Sequence, residues 1–261
     1  MPEGDTVYRT ARVLNEAIAG RVLDRCDIRV PAFATVDLTG ERVESVVSVG
    51  KHLLHRIGEL TIHSHLKMEG SWEVYATGAK WRHPAWQARA ILGVPGILTV
   101  GFQLGELDVV PRERESELVG YLGPDILAAD WDSPLDTAVN NLTSDPSRPV
   151  GLALLDQRLI AGLGNVYRNE LCFLRGILPT RPVGEVPDVP GLVRLAHRVI
   201  LANRDRLERS TTGDLRRGHR TWVNGREHEP CRRCGTPIRL GALGDTELTE
   251  RQTFFCPACQ H

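Results

Sequence analysis

Four cysteines near the C-terminus constrain this chain more than any other feature. They read Cys231-Arg-Arg-Cys234 and, after 21 intervening residues, Cys256-Pro-Ala-Cys259. Each C-x-x-C pair forms a tight knuckle, and two knuckles place four thiolates around one tetrahedral ion. The segment between them has turn residues at Gly241 and Gly244 and strand-like ends at 237–240 and 253–255. That pattern predicts a β-hairpin clasping a single zinc ion. Four thiolates leave no position for water, so the zinc is expected to be structural, and a hairpin this small needs it to fold. A redox role would need a thioredoxin-like pattern, which the chain lacks. Cys26 and Cys172 lie in apolar surroundings and are expected to be buried and inert.

The 261 residues are long for one core and comfortable for two. No apolar run approaches the roughly 20 residues that span a bilayer, and the N-terminus has no secretory h-region. A cytoplasmic protein, nucleoid-associated when bound to DNA, is expected. The net charge of −1 conceals an asymmetry. Residues 1–157 carry 15 Lys/Arg against 22 Asp/Glu, whereas residues 158–261 carry 17 against 11. A basic C-terminal part suits contact with phosphates. The only lysines are Lys51, Lys67 and Lys80.

The chain begins Met1-Pro2-Glu3-Gly4-Asp5. Removal of Met1 would leave Pro2 with a free secondary amine beside a carboxylate. An N-terminal amine has an ordinary pKa of roughly 7.7–8.0, so a useful fraction is uncharged and nucleophilic at neutral pH. The iminium that a secondary amine forms at a sugar C1′ has no N–H left to lose and so stays cationic. Val7, Ala11, Leu14 and Ile18 form a helical apolar stripe. Asp5 or Thr6 is available as its cap, and Gly20 ends it. Pro2 and Glu3 would then sit at the positive end of a helix, where a protonated amine is disfavoured.

From about Arg21 to Phe102 the pattern becomes short β-rich runs: 22–30, 43–49, 53–62, 72–75 and 97–102. They predict a β-sandwich. The charged, proline-led stretch 111–117 would begin the crossing to a second, helical domain. There, residues 149–161 predict a helix, Gly162-Leu-Gly164 a turn, and the following residues a second helix capped by Asn165. The amides of such a turn suit a phosphate. A further amphipathic helix is expected from Leu192 to about Leu207. The fold class expected is α+β in two domains. Residues 1–115 would form the catalytic β-sandwich, 116–133 a linker, 134–222 the helical DNA-binding domain and 223–261 the zinc hairpin.

Five motifs occur in register: Pro2-Glu3-Gly4, Gly50-Lys51, His65-Leu-Lys-Met68, Gly162-Leu-Gly164-Asn165-Val-Tyr-Arg-Asn-Glu170, and Arg251-Gln-Thr-Phe-Phe-Cys256-Pro-Ala-Cys259-Gln260. Together they resemble the formamidopyrimidine-DNA glycosylase and endonuclease VIII family, the helix–two-turn–helix DNA glycosylases, from first residue to last. The resemblance implies Pro2 as Schiff-base nucleophile and Glu3 as general acid/base. It implies Lys51 on a backbone phosphate and assisting catalysis, and Asn165 and Arg251 gripping the phosphates that flank a flipped nucleotide. Arg251 would thereby serve the catalytic geometry as well. His65 and Lys67 would lie near the same backbone, and Met68 would help fill the gap in the duplex. Damaged DNA is the implied partner, a monomer the implied state, and the single structural zinc the implied cofactor.

Two departures bear on the branch. Lys67 stands where the formamidopyrimidine branch has glycine, and Glu69 follows Met68. The link 210–230 leaves little room for the longer loop with which the purine-excising branch caps 8-oxoguanine. The endonuclease VIII branch, acting on oxidised pyrimidines by β,δ-elimination, is therefore expected, in a form resembling actinobacterial members. The alternatives are an oxidised-purine glycosylase of the same family and a non-catalytic damaged-DNA binder. A zinc-ribbon transcription factor would account for the cysteines but not for the first 150 residues.

Overall fold

The computed structural model describes residues 2–261, which fall into two compact units divided between Tyr121 and Leu122. Among the described residues, no helix is long and apolar enough to cross a membrane.

The first unit opens with α1 (Gly4–Ile18), whose Val7, Ala11, Leu14 and Ile18 are all buried, as the stripe requires. The helix begins one residue before Asp5, so Glu3, and neither Asp5 nor Thr6, occupies the cap position. Eight strands follow: β1 (Arg25–Ile28), β2 (Val43–Val49), β3 (His52–Ile57), β4 (Leu60–His65), β5 (Ser71–Ala76), β6 (Ala88–Val94), β7 (Ile97–Phe102) and β8 (Glu106–Pro111). They form two antiparallel four-stranded sheets, β1-β6-β7-β5 and β2-β3-β4-β8. Inward side chains of both sheets, among them Leu53, Ile57, Ile62, Ala90 and Leu92, share one core with the α1 stripe. This is the expected β-sandwich.

The run 53–62 is two strands, because Gly58 takes a φ of 51° and turns the chain between β3 and β4. Two strands were missed. β6 is rich in alanine and glycine and buried almost throughout, so it shows no alternation; β8 is charged at one end and closes on a proline. Downstream, Glu115 in the short helix α2 (Glu115–Val119) accepts from Arg56 and Thr61, tying residues up to 121 onto the second sheet.

His55 is fully buried on the core face of β3, its ring 4.5 Å from that of Trp72. Burial pushes its pKa down to about 3. A histidine held neutral in the folded state contributes stability that is present above its unfolded value near 6.5 and lost as pH falls through the folded value. The urea midpoint of the protein is therefore expected to drop between pH 6.5 and 4. His55→Leu should flatten that drop, and an unchanged slope in this variant would count against the assignment.

The second unit holds α3 (Leu135–Thr143), α4 (Val150–Ala153), α5 (Asn165–Arg175), α6 (Val189–Leu201) and the antiparallel pair β9 (Arg239–Leu243) and β10 (Arg251–Phe255). The helix expected over 149–161 stops at Ala153. Beyond it, local side-chain bonds compete with the helix: Asp156 accepts from the Arg158 N–H at 3.0 Å, and Gln157 donates to the Leu155 and Leu163 carbonyls. α6 starts three residues earlier than expected because Asp188 caps it, accepting from the Gly191 N–H at 2.8 Å. It ends six residues earlier, and Asn203 then donates to the Ser210 carbonyl and accepts the Ser210 N–H. Cys172 is buried, and its thiol is pushed up to about 12 by that burial. Cys26 is only half-buried, short of the full burial expected.

Candidate active site and metal centre

Pro2 and Glu3 lie immediately before α1, with Glu3 fully buried and its carbonyl accepting the Val7 N–H at 3.0 Å. Both therefore sit in the positive field of the helix N-terminus. Met1, whose removal would free the Pro2 amine, lies outside the described residues. Gly50 and Lys51 form the two-residue turn between β2 and β3, since Val49 pairs with His52. Gly50 has a φ of 58°, the conformation a turn of this kind reserves for glycine. The lysine is thus carried on a rigid hairpin tip.

His65 ends β4, paired with His52. Burial, and then the cations of Lys67 and Lys51, push its pKa down to about 4. The ring is neutral at physiological pH. Its Nδ1 accepts the Lys67 N–H at 2.9 Å, which leaves the hydrogen on Nε2 as a donor. Lys67 follows with a φ of 52°, left-handed for a residue with a Cβ. That conformation gives a physical reason for glycine at this place in the formamidopyrimidine branch. The lysine side chain lies across Gly105, where a Cβ would come within 2.2 Å of Lys67 Cγ, and its ammonium pairs with Glu106. Met68, next along, is 66% exposed and packs in no core.

In the second unit, Asn165 is the first helical residue of α5; the cap position belongs to Gly164. The Asn165 amide donates to the Gln252 carbonyl at 2.9 Å and accepts from Arg168 at 2.6 Å. These bonds bring Asn165 beside Arg251, the exposed first residue of β10. The buried Arg168 also donates to the Gln252 carbonyl and to the Thr253 hydroxyl, both at 2.8 Å. Asn165 and Arg168, in the first turn of α5, thus hold the hairpin. Glu170, equally buried, accepts from the backbone N–H groups of Trp222, Val223 and Asn224 at 2.7–2.9 Å and from the Thr211 hydroxyl. Burial raises its pKa, with those donors pulling the other way.

The four cysteines converge: their sulfurs all lie within 4.8 Å of one another. Cys234 and Cys256 are 3.5 Å apart, and Cys231 and Cys259 4.0 Å. Metal–sulfur bonds of about 2.3 Å in a tetrahedron require sulfur separations of roughly 3.8 Å, so the set fits one ion with four thiolate ligands. Phe173, Val223, Ile238 and Phe254 pack around Cys231 and Cys256 and join the knuckles to α5.

Arg168 and Glu170 escaped the sequence reading as individual residues, because a charged residue on a helix is ordinarily solvated. A second omission is a polar row on the outer face of the second sheet: His52, His63 and Asp108, with Tyr121 beyond. His52 Nδ1 lies 2.8 Å from His63 Nε2, His63 Nδ1 3.1 Å from Asp108 Oδ2, and the Tyr121 hydroxyl 3.2 Å from His52 Nε2. Neighbouring histidines on alternate strand positions were the available signal.

Fold and site together define a helix–two-turn–helix protein with an N-terminal β-sandwich and a four-cysteine hairpin. Two family models match: the formamidopyrimidine-DNA glycosylase N-terminal domain over residues 1–96 and the H2TH domain of the same family over residues 122–200. The chain is 52% identical to the probable endonuclease 8 2 of Streptomyces coelicolor, over all of this chain and 94% of that one. It is 49% identical to the DNA-(apurinic or apyrimidinic site) lyase Nei2 of Mycolicibacterium smegmatis, over all of this chain and 99% of the other. A solved structure of MutM in complex with DNA containing carbocyclic 8-oxo-G superposes with a TM-score of 0.81 at 22% identity, covering both chains fully. This chain belongs to the formamidopyrimidine-DNA glycosylase and endonuclease VIII family.

Proposed function

We propose that the protein is a base-excision repair enzyme that removes oxidised pyrimidines from DNA and cuts the strand at the resulting site. The enzyme class is that of a DNA glycosylase with lyase activity at abasic sites, in keeping with full-length relatives named endonuclease 8 and apurinic or apyrimidinic site lyase. The observation that carries the mechanism is the pairing of Pro2 with the buried Glu3 at the N-terminus of α1. The Pro2 amine attacks C1′, the bond from C1′ to the base breaks with its electron pair leaving on the base, and the proton lost by the amine nitrogen ends on the departing base. Glu3 protonates the ring oxygen, which opens the sugar to an iminium. The iminium acidifies the C2′ hydrogen; its loss expels the 3′ phosphate, and a second elimination expels the 5′ phosphate. Glu3 cycles between proton donor and acceptor through these steps.

Lys51, His65, Asn165 and Arg251 supply donors for backbone phosphates, and the exposed Met68 enters the stack vacated by the flipped base. Extrusion of that base costs a few kcal/mol, less when it is damaged. The four cysteines hold one zinc ion, whose contribution is to fold the hairpin that carries Arg251. Preference for pyrimidine lesions is supported by segment 210–224, which is held in short turns by Asn203 and Glu170 and leaves little chain for a cap over a purine.

Borohydride trapping of untagged protein on matched duplexes tests the reading. Covalent product is expected on 5-hydroxycytosine, thymine glycol and abasic sites, with little on 8-oxoguanine. Equal or stronger trapping on 8-oxoguanine would move the protein to the purine-excising branch, and none on any duplex, with Met1 absent, would leave only a DNA binder. Arg251→Ala should weaken binding to all sequences alike and lower the slope of log affinity against log salt by about one. A slope equal to that of the parent would remove Arg251 from the phosphate contacts.

A further inference from the structure

His52 and His63 are buried titratable groups that the chemistry above does not use, and they are joined in a row with direction. The row crosses the outer face of β3, β4 and β8, where His52 pairs with His65 and His63 pairs with Asp108. The two imidazoles are nearly parallel, with centroids 5.0 Å apart, and the edge of His65 meets His52 at the same distance.

The donors in the row can be assigned. A carboxylate only accepts, so His63 Nδ1 carries the hydrogen toward Asp108. The other ring nitrogen, Nε2, faces His52 Nδ1, and we assign it as the acceptor of the His52 hydrogen. Burial, followed by the neighbouring His63 and His65, pushes the His52 pKa down to about 3. His52 is therefore neutral, its Nε2 is bare, and the Tyr121 hydroxyl donates to it. Every polar atom along the row is satisfied in this arrangement, which is the condition under which a buried polar row is tolerated.

The row ends at Tyr121, which is 54% exposed. Its hydrogen points inward, and its ring stands edge-on to His52, with centroids 6.2 Å apart. The phenolic oxygen then presents only lone pairs outward, which repel a phosphate. The ring is what remains for a partner, and it stands beside the strand end that carries Lys51 and His65. Aromatic rings so placed serve as stacking surfaces for bases or sugars.

We propose that Tyr121 contacts DNA through its ring and that His52, His63 and Asp108 are the positioning residues that aim it. The inference rests on the reading of the protein as a DNA glycosylase. The probe is a duplex containing a tetrahydrofuran abasic analogue, with affinity read by fluorescence anisotropy. Tyr121→Ala is expected to weaken binding roughly tenfold, the scale of one lost stacking contact, with the melting temperature little changed. Tyr121→Phe keeps the ring but loses its anchor and is expected to lose about threefold; His52→Leu should lose a similar amount. The double variant should be no worse than either alone, since both remove the same hydrogen bond. Parental affinity in Tyr121→Ala, or full additivity in the double variant, overturns the proposal. Nitrogen-15 NMR of the parent gives an independent reading that needs no variant: His52 should be neutral with its hydrogen on Nδ1, and the opposite tautomer refutes the aiming row. A parent protein that neither binds nor traps on abasic DNA would instead defeat the functional reading itself.

Discussion

Replacing Pro2 by glycine is expected to abolish base excision, with a loss on the order of a thousandfold or more, the scale on which removal of a nucleophile acts. Binding to the tetrahydrofuran duplex should change by no more than about threefold, because the variant alters one small group and no donor to phosphate. The reason lies in the N-terminus as folded. Pro2 precedes α1 directly and the Glu3 carboxyl is sealed from solvent, so the proposed nucleophile and proton carrier are adjacent in the chain and fixed by the same helix. Glycine keeps a primary amine but loses the ring that restricts its approach to C1′ and the alkyl substitution that keeps the Schiff base cationic. Single-turnover excision and borohydride trapping, each with the N-terminal mass verified, decide the matter. Excision retained at the parental rate would show that some other group attacks the sugar.

Stripping the metal is expected to have an effect of comparable size through the fold. Structural zinc in isolated fingers contributes about 10–16 kcal/mol, so a hairpin of this length does not outlast its loss. The consequences should spread beyond the cysteines. The core around Cys231 and Cys256 includes Phe173 of α5, and Arg168 and Asn165 of the same helix bond to Gln252 and Thr253 of β10. Unfolding the hairpin would leave the buried Arg168 guanidinium without those acceptors, a cost of several kcal/mol. Chelation, or Cys256→Ala, should therefore remove amide-exchange protection from both 239–255 and 165–173 and reduce DNA affinity at least about a hundredfold. Zinc release confirmed by mass spectrometry, with protection intact in α5, would show that the helix does not depend on the metal.

Much of this was readable because the physics was local. The α1 stripe, the β2 limits and the two knuckles each depend on residues a few positions apart, and periodicity or ligand spacing captures them. The helix over 149–161 misled because its apolar spacing was sound while Asp156 and Gln157 offered the backbone competing bonds. β6 and β8 lacked alternation for opposite reasons, one being buried on both faces and the other polar at its start. The turn at Lys67 shows a subtler case. Lysine in place of glycine was visible, but the left-handed backbone that makes the exchange consequential was not.

Contiguous residues and short fixed spacings were enough for the family, the four-cysteine centre, the Pro2-Glu3 start and most of the elements in their order. Long-range packing was needed to show that Glu3 is buried, that Asn165 leans on β10 instead of capping α5, and that Arg168 and Glu170 bind the hairpin and its approach to one helix. It alone decided that His52, His63, Asp108 and Tyr121 form a row. Those four are up to 69 positions apart along the chain, and only the registers of β3, β4 and β8 and the return of the chain through α2 bring them within hydrogen-bonding distance.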